Sequence, residues 1–260
     1  MRISAMNNPR ENLLQQIKLF GELGFEAFEL TLEYPKALPE KIELKQKIVR
    51  DLIEGFGFGV LAHLPWFFEA THPYDSVRNA YFQEIEKAFR ICRLLGVNYV
   101  TIHPDIRGFG RSHKKKVESL KDSLGFLSEK AGDYGLVLGV ENMDEKIMPT
   151  DDLFDVINSF PDLGFTLDVG HANLGVNDTK HVKHLIRKFR KKLRHVHLHD
   201  NKGVSDDHLP LGAGYIDWRA VVDCLKRIRY NEAITLEVHA TDSDLLGYSK
   251  DKLKSYLDGV

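Results

Sequence analysis

The sequence predicts an α/β fold, a single closed (β/α)8 barrel spanning residues 1–260 with a metal site at the C-terminal ends of its strands. Short apolar runs rich in β-branched and aromatic residues alternate with longer segments of helical period. Eight such runs occur, each followed by a helical segment, with no Ser/Pro-rich linker between them. The rival, an open doubly wound sheet, would carry a G-x-G-x-x-G phosphate loop after its first strand, and "MNNPRENL" has none.

The first strand is "RISAM" (2–6), and the helix "ENLLQQIKLFGELG" after it ends in a glycine stop. Strand two is "FEAFELT" (25–31) and strand three "FGVLAHL" (58–64). The glycine-rich "GFGFG" (55–59) follows a helix and precedes a strand, so it reads as a helix stop and turn rather than a phosphate loop. "RNAYFQEIEKAFRICRLLG" is helical, again closed by glycine, and leads into strand four, "NYVTIH" (98–103). "LVLGVE" (136–141), "GFTLD" (164–168), "RHVHLH" (194–199) and "AITLEV" (233–238) complete the eight, with the helix "DWRAVVDCLKRI" before the last. The apolar C-terminal helix "LLGYSKDKLKSYL" covers either the barrel base or a partner subunit, and the sequence does not choose.

Composition excludes several classes. A net charge of −2 supplies no general basic field for nucleic acid. Cys92 and Cys224 lie in amphipathic helical patterns without CxxC spacing, which reads as buried reduced thiols and a cytoplasmic protein. "MRISAMNNPR" has no signal-peptide apolar stretch, and no run is long enough to span a bilayer.

Barrel enzymes keep their chemistry at the C-terminal strand ends. Strands three to eight carry there His63, His103, Glu141, Asp168, His197 and Glu237. These residue types make up about a fifth of the chain, so six of eight strand ends is a poor match to chance. Imidazole and carboxylate without thiolate suit zinc or manganese, with magnesium, cobalt and iron also compatible. Just beyond the strands, His171 in "LDVGHA" and Asp206 and His208 in "SDDHLPLG" are placed to fold back over the same rim. His195 and His199 share a strand face with His197 and read as supporting residues, as does His239 beside Glu237. His72, His113, His181 and His184 read as surface residues. The basic run "RKFRKKLR" (187–194) falls at the opposite barrel face, whereas "RGFGRSHKKK" (107–116) follows strand four on the metal face. There Arg107 and Arg111 are candidates to hold a substrate phosphate.

"LAHLPW", "TIHPD", "GVEN", "LDVGHA", "HVHLHDNKG...DDHLPLGAGYIDW" and "TLEV", in that order, resemble the xylose-isomerase-like TIM barrel superfamily over about residues 25–240. That group contains sugar and sugar phosphate isomerases and epimerases as well as the endonuclease IV family (AP endonuclease family 2). Resemblance to the sugar enzymes implies one metal held by Glu141, Asp168, His197 and Glu237. It also makes Glu141 and Glu237 the acid/base pair and puts His171 against a substrate oxygen. Resemblance to the endonucleases implies up to three zinc ions on those four residues together with His63, His103, His171, Asp206 and His208.

Nucleic acid is a partner only under the second reading. Against it stand the acidic Glu29, Glu33 and Glu40 after strand two, where the nucleases place a basic DNA-penetrating loop. Glu29 resembles a substrate-site glutamate of the sugar enzymes. Trp66 suits either a sugar pocket wall or a DNA wedge. The expectation is therefore a sugar isomerase or epimerase acting on a small molecule, with an apurinic-site endonuclease as the alternative.

Overall fold

The fold was analysed in a computed structural model that describes residues 1–104, 106, 110–176, 178–239 and 242–259. Its first half runs β1 (Arg2–Met6), α1 (Leu13–Glu22), β2 (Ala27–Thr31), α2 (Pro39–Glu43), α3 (Gln46–Phe56), β3 (Gly59–His63), α4 (Asp75–Leu94) and β4 (Tyr99–Ile102). The second half runs α5 (His113–Asp133), β5 (Val137–Glu141), α6 (Thr150–Asn158), β6 (Gly164–Asp168), α7 (Val169–Asn173), α8 (Thr179–Lys188) and β7 (Leu193–Leu198). It ends with α9 (Trp218–Arg227), β8 (Ala233–Leu236) and α10 (Asp244–Asp258). The strands pair in parallel in chain order, and β8 returns to β1 to close the barrel.

All eight strands foreseen in the sequence are present, with ends displaced by at most two residues. The short α2 and α7 were not foreseen. Five residues are too few to show helical period, and α7 starts because Asp168 caps it, accepting the His171 backbone N–H at 2.5 Å. α1 is capped in the same way by Asn12, whose side chain accepts from Leu14 and Gln15. α10 takes the eighth helix position, packed against β8 and α9. Lys250 Nζ ties it to the Leu23 carbonyl behind α1, and its Ser249 hydroxyl accepts the Leu211 N–H. Among the described residues no helix is long and apolar enough to cross a membrane.

Side chains alternate between the two faces of each strand. The outward set (Phe28, Leu30, Val100, Leu138, Phe165, Val196 and Ile234 among it) packs under the helices as the main core. The inward set is unusual, because barrel interiors are ordinarily filled by branched apolar residues. Here only Ala27, Leu61, Tyr99 and Ala233 form an apolar layer. Tyr99 fits because β5 carries Gly139 against its ring, where a Cβ would come within 1.9 Å of the phenol oxygen. Above that layer the interior turns polar. The Tyr99 hydroxyl pairs with Thr166, Thr166 with Thr101, and His195 with Thr235 and Glu29. This polar column rises to the C-terminal rim.

Candidate metal centre

Glu141 ends β5, Asp168 ends β6, His197 lies on β7, and Glu237 stands one residue past β8. His197 Nδ1 is 2.8 Å from Glu237 Oε1, 3.5 Å from Glu141 Oε2 and 4.0 Å from Asp168 Oδ2. All four side chains are buried. Yet His197 Nδ1 and Asp168 Oδ2 have no hydrogen-bond partner among the described residues. Buried polar atoms are ordinarily satisfied, so an unsatisfied carboxylate oxygen beside an imidazole nitrogen that faces three carboxylates fits a bound cation. One ligand atom each of Glu141, Asp168 and His197 lies within 4.8 Å of the others. This donor set of nitrogen and oxygen suits a divalent ion such as zinc or manganese.

The residue beneath explains how His197 is aimed. Glu29 is fully buried, and its carboxylate lies 3.1 and 3.2 Å from His197 Nε2 and 2.7 Å from His195 Nε2. An ionised carboxylate only accepts, so both Nε2 atoms must donate, which turns His197 Nδ1 toward the rim. Burial alone would raise the Glu29 pKa, but His197 and His195 outweigh it and hold it well below the usual carboxylate range. Glu29, expected at the substrate, contacts two imidazoles. Glu29 is inward at the level below the rim, with no exposed surface.

Beside the tetrad, His63 Nε2 and His103 Nε2 lie 3.1 and 3.2 Å from Glu141 Oε2. His171 Nδ1 lies 3.1 Å from Glu141 Oε1 and 3.0 Å from the Asn142 carbonyl. On the loop after β7, Asp206 reaches His171 Nε2 at 3.4 Å and His208 Nε2 at 3.2 Å. The nine side chains nominated by the family resemblance thus stand around one mouth.

Charge is balanced inside this mouth by imidazole. Burial opposes a proton on His197, but Glu237, Glu29 and Glu141 overcome it and raise its pKa well above the usual value. His171 is raised in the same way against its own burial, chiefly by Asp168 and Asp206. His208, opposed by burial, is lifted to about 9 by Asp206 and Glu237. Glu237, opposed by burial, is lowered to about 2 by His197.

The outer rim differs in detail from the expectation. Trp66 is half exposed, its ring edge-on to Phe67. Arg111 Nη2 donates to the Pro73 carbonyl, bracing one loop against its neighbour. Arg107 lies outside the described residues. Of the three acids, Glu29 lies within β2 and is buried, and Glu40 pairs with Lys87 at 3.0 Å on the outer helices, which leaves Glu33 half-buried near His63. The His239 ring stacks on that of His208 at 4.1 Å.

Sequence reasoning missed Asp200 and Asn201, which shape the loop that carries Asp206 and His208. The buried Asp200 carboxylate accepts from the backbone N–H groups of Asn201, Gly212 and Ile216 and from the Trp218 indole. Asn201 donates to Gly170 O and accepts from Asn173 and Gly203. The pair joins the loop to α7 and hence to His171. An Asp-Asn after a strand carries no signal by itself.

This architecture has named relatives. The chain is 29% identical, over 96% of its length and 86% of the relative's, to the uncharacterized protein MJ1311 of Methanocaldococcus jannaschii. Its fold matches the crystal structure of a D-tagatose 3-epimerase-like protein with a TM-score of 0.88 and 26% identity, covering 100% of this chain and 98% of that one. It also matches the IolI protein, solved with a bound zinc atom, with a TM-score of 0.79 and 20% identity, covering 100% and 99%. The family described as xylose isomerase-like TIM barrel matches residues 17–257, and the chain belongs to it.

Proposed function

We propose that the protein is a divalent-metal-dependent isomerase or epimerase of a sugar or sugar phosphate. The observation that carries this reading is the tetrad itself. Two carboxylates, Glu141 and Glu237, reach the same imidazole nitrogen from strands three places apart around the barrel. Glu141, Asp168, His197 and Glu237 would hold the ion. When bound, it supplies a Lewis acid that polarises a carbonyl and its neighbouring hydroxyl and so acidifies the C–H between them.

The chain's own residues do the rest. One of Glu141 and Glu237 takes the carbon-bound proton while the other returns a proton to the opposite face of the same carbon. Both carboxyls are held below their ordinary pKa, so either can serve as the base, and the other must first take up a proton from solvent before it can return one. His171 is poised to donate to a substrate oxygen, Glu29 keeps His197 from turning, and Trp66 walls the mouth. Similarity to the D-tagatose 3-epimerase-like protein supports a ketose as substrate, and the zinc of the IolI protein supports zinc as the ion.

The test is exchange of a substrate C–H proton with deuterated solvent, read by NMR across a panel of ketoses and their phosphates. Glu141→Gln and Glu237→Gln are each expected to slow exchange by about 10²–10⁴-fold with the fold retained. A panel without exchange would sink the reading. One observation favours a second reading, cleavage of a phosphodiester at an abasic site. His63, His103, His171, Asp206 and His208 surround the tetrad and would allow further ions. Efficient cleavage of a duplex carrying one abasic site, with no exchange on any sugar, would reverse the order.

A further inference from the structure

The segment "LKQKIVRDLIEGF" (44–56) carries two apolar rows where a surface helix needs one. Val49 and Ile53 make the row that α3 turns inward, and both are buried. The other row, Leu44, Ile48, Leu52 and Phe56, recurs every four residues, which sets it along one side of the helix. Leu44, in the turn before α3, is 87% exposed, Ile48 52% and Phe56 41%, with Leu52 half-buried. Single apolar residues on a surface need no explanation, but a continuous row does. The Phe56 ring lies against Gly21 of α1, so the row slants toward the groove between α1 and α3. Gly55 stands beside it inside the helix, and nothing among the described residues lies within 4 Å of where its Cβ would be. A glycine there costs helix stability and serves no packing within the chain. Bare backbone beside an apolar row suits the close approach of another helix.

The charges around this row are sorted by end. At its start, Lys36, Lys41 and Lys45 surround a hollow of about 150 Å³ floored by Leu13, Ile42 and Val49. Lys41 donates to the Pro35 carbonyl, and none of the three lysines has a carboxylate partner among the described residues. At the other end stand Glu22, which closes α1, and Glu54, both exposed and without a cationic partner among the described residues. Lys47 and Asp51, paired at 2.7 Å, keep the same order between them. A surface that is basic at one end and acidic at the other complements a copy of itself turned end for end. A two-fold axis running along the helices would instead set lysine against lysine.

We propose that the α1–α3 face joins two copies of this chain in a symmetric dimer, with α3 antiparallel to its counterpart across a two-fold axis at the level of Arg50. That level is midway along the apolar row, so Ile48 meets the partner's Leu52 and Leu44 meets the partner's Phe56. The lysine-rimmed hollow then receives the acidic end of the other copy, Lys45 facing the partner's Glu54. Symmetry makes each of these contacts twice. The contact uses none of the candidate metal ligands, so it stands or falls apart from the functional reading.

The experiment is sedimentation equilibrium of the full chain over a series of protein concentrations, at low and at high salt. The wild type is expected to approach twice the chain mass of 29.8 kDa as concentration rises, with weaker association at high salt. Ile48→Glu is expected to stay monomeric, and Lys45→Glu to weaken association about tenfold or more. Lys45→Glu combined with Glu54→Lys is expected to regain it. Nine residues along a helix separate these two positions by about 14 Å, too far for them to pair within one chain, so recovery requires contact between chains. Each substituted position is exposed, and circular dichroism checks that the variants keep the wild-type fold. A wild type that stays monomeric at its highest soluble concentration overturns the proposal. So does a dimer that Ile48→Glu or Lys45→Glu leaves intact, or a charge swap that fails to restore what Lys45→Glu removes.

Discussion

Glu29 shows how one buried residue acts on the chemistry without touching substrate. Its two oxygens fix the Nε2 protons of His195 and His197, so its effect must pass through His197. Glu29→Leu is expected to weaken metal binding by about 10–100-fold, with partial recovery in Glu29→Gln, which keeps one acceptor oxygen. Competition against a chromophoric chelator measures this, and equal affinities in all three proteins would remove Glu29 from the metal's support. The cysteines are the opposite case. Cys92 is fully buried, with burial pushing its thiol pKa up, and Cys224 is nearly as enclosed. Neither is expected to react with a thiol reagent until the protein unfolds. Rapid labelling of the native chain would contradict that. The candidate ligands were legible at this scale because imidazoles and acids are rare choices for strand ends. The role of Glu29 was not, because its partners lie 166 and 168 residues away and nothing local announces them. His199 was read as a supporting residue because alternation puts it on the face of His197, while its approach to Asp168 and Asp206 exists only in three dimensions.

The element that matters most is the loop between β7 and α9. It makes an antiparallel bridge, Asp200 with Leu209, before delivering Asp206 and His208 to the mouth. Asp200 gathers four N–H donors at its head, and a Cβ on Gly214 would meet Asp200 Oδ1 at 2.3 Å. Asp200→Ala leaves those donors unsatisfied and is expected to cost at least about 2 kcal/mol. It should also change the emission of Trp218, whose indole loses its acceptor. Chemical denaturation followed by fluorescence reads both, and an unchanged midpoint would mean that the loop is held by other contacts. Strands were legible because eight apolar runs were bounded by helical period and glycine. The loop's fold was not, since it depends on one carboxylate collecting donors from residues spread over its whole length. Both five-residue helices escaped notice for want of a full period.

At the scale of the whole molecule, the barrel closes around like charges that must be neutralised. Glu141, Asp168, Asp206 and Glu237 surround one mouth with Glu29 beneath it, and protons on His171, His197 and His208 balance them; under the proposed function a cation would take the place of those protons. A histidine whose folded pKa is raised stabilises fully below its unfolded value and loses that contribution as pH climbs through the folded value. For His208 the window runs from about 6.5 to about 9. The lowered pKa values of Glu29, Glu141 and Glu237 act on the acid side, where their contribution disappears as pH falls through the folded values. Metal-free protein should therefore lose stability on going from about pH 6.5 toward pH 9. Zinc-loaded protein should not, because the ion takes over the neutralising charge and binds only the folded state. The rise in Tm on adding zinc is expected to grow across that range, with protons released on binding. Calorimetry in buffers of different ionisation enthalpy counts those protons. A zinc-induced Tm shift independent of pH, with no proton released, would mean that the histidines at the mouth do not exchange protons for metal.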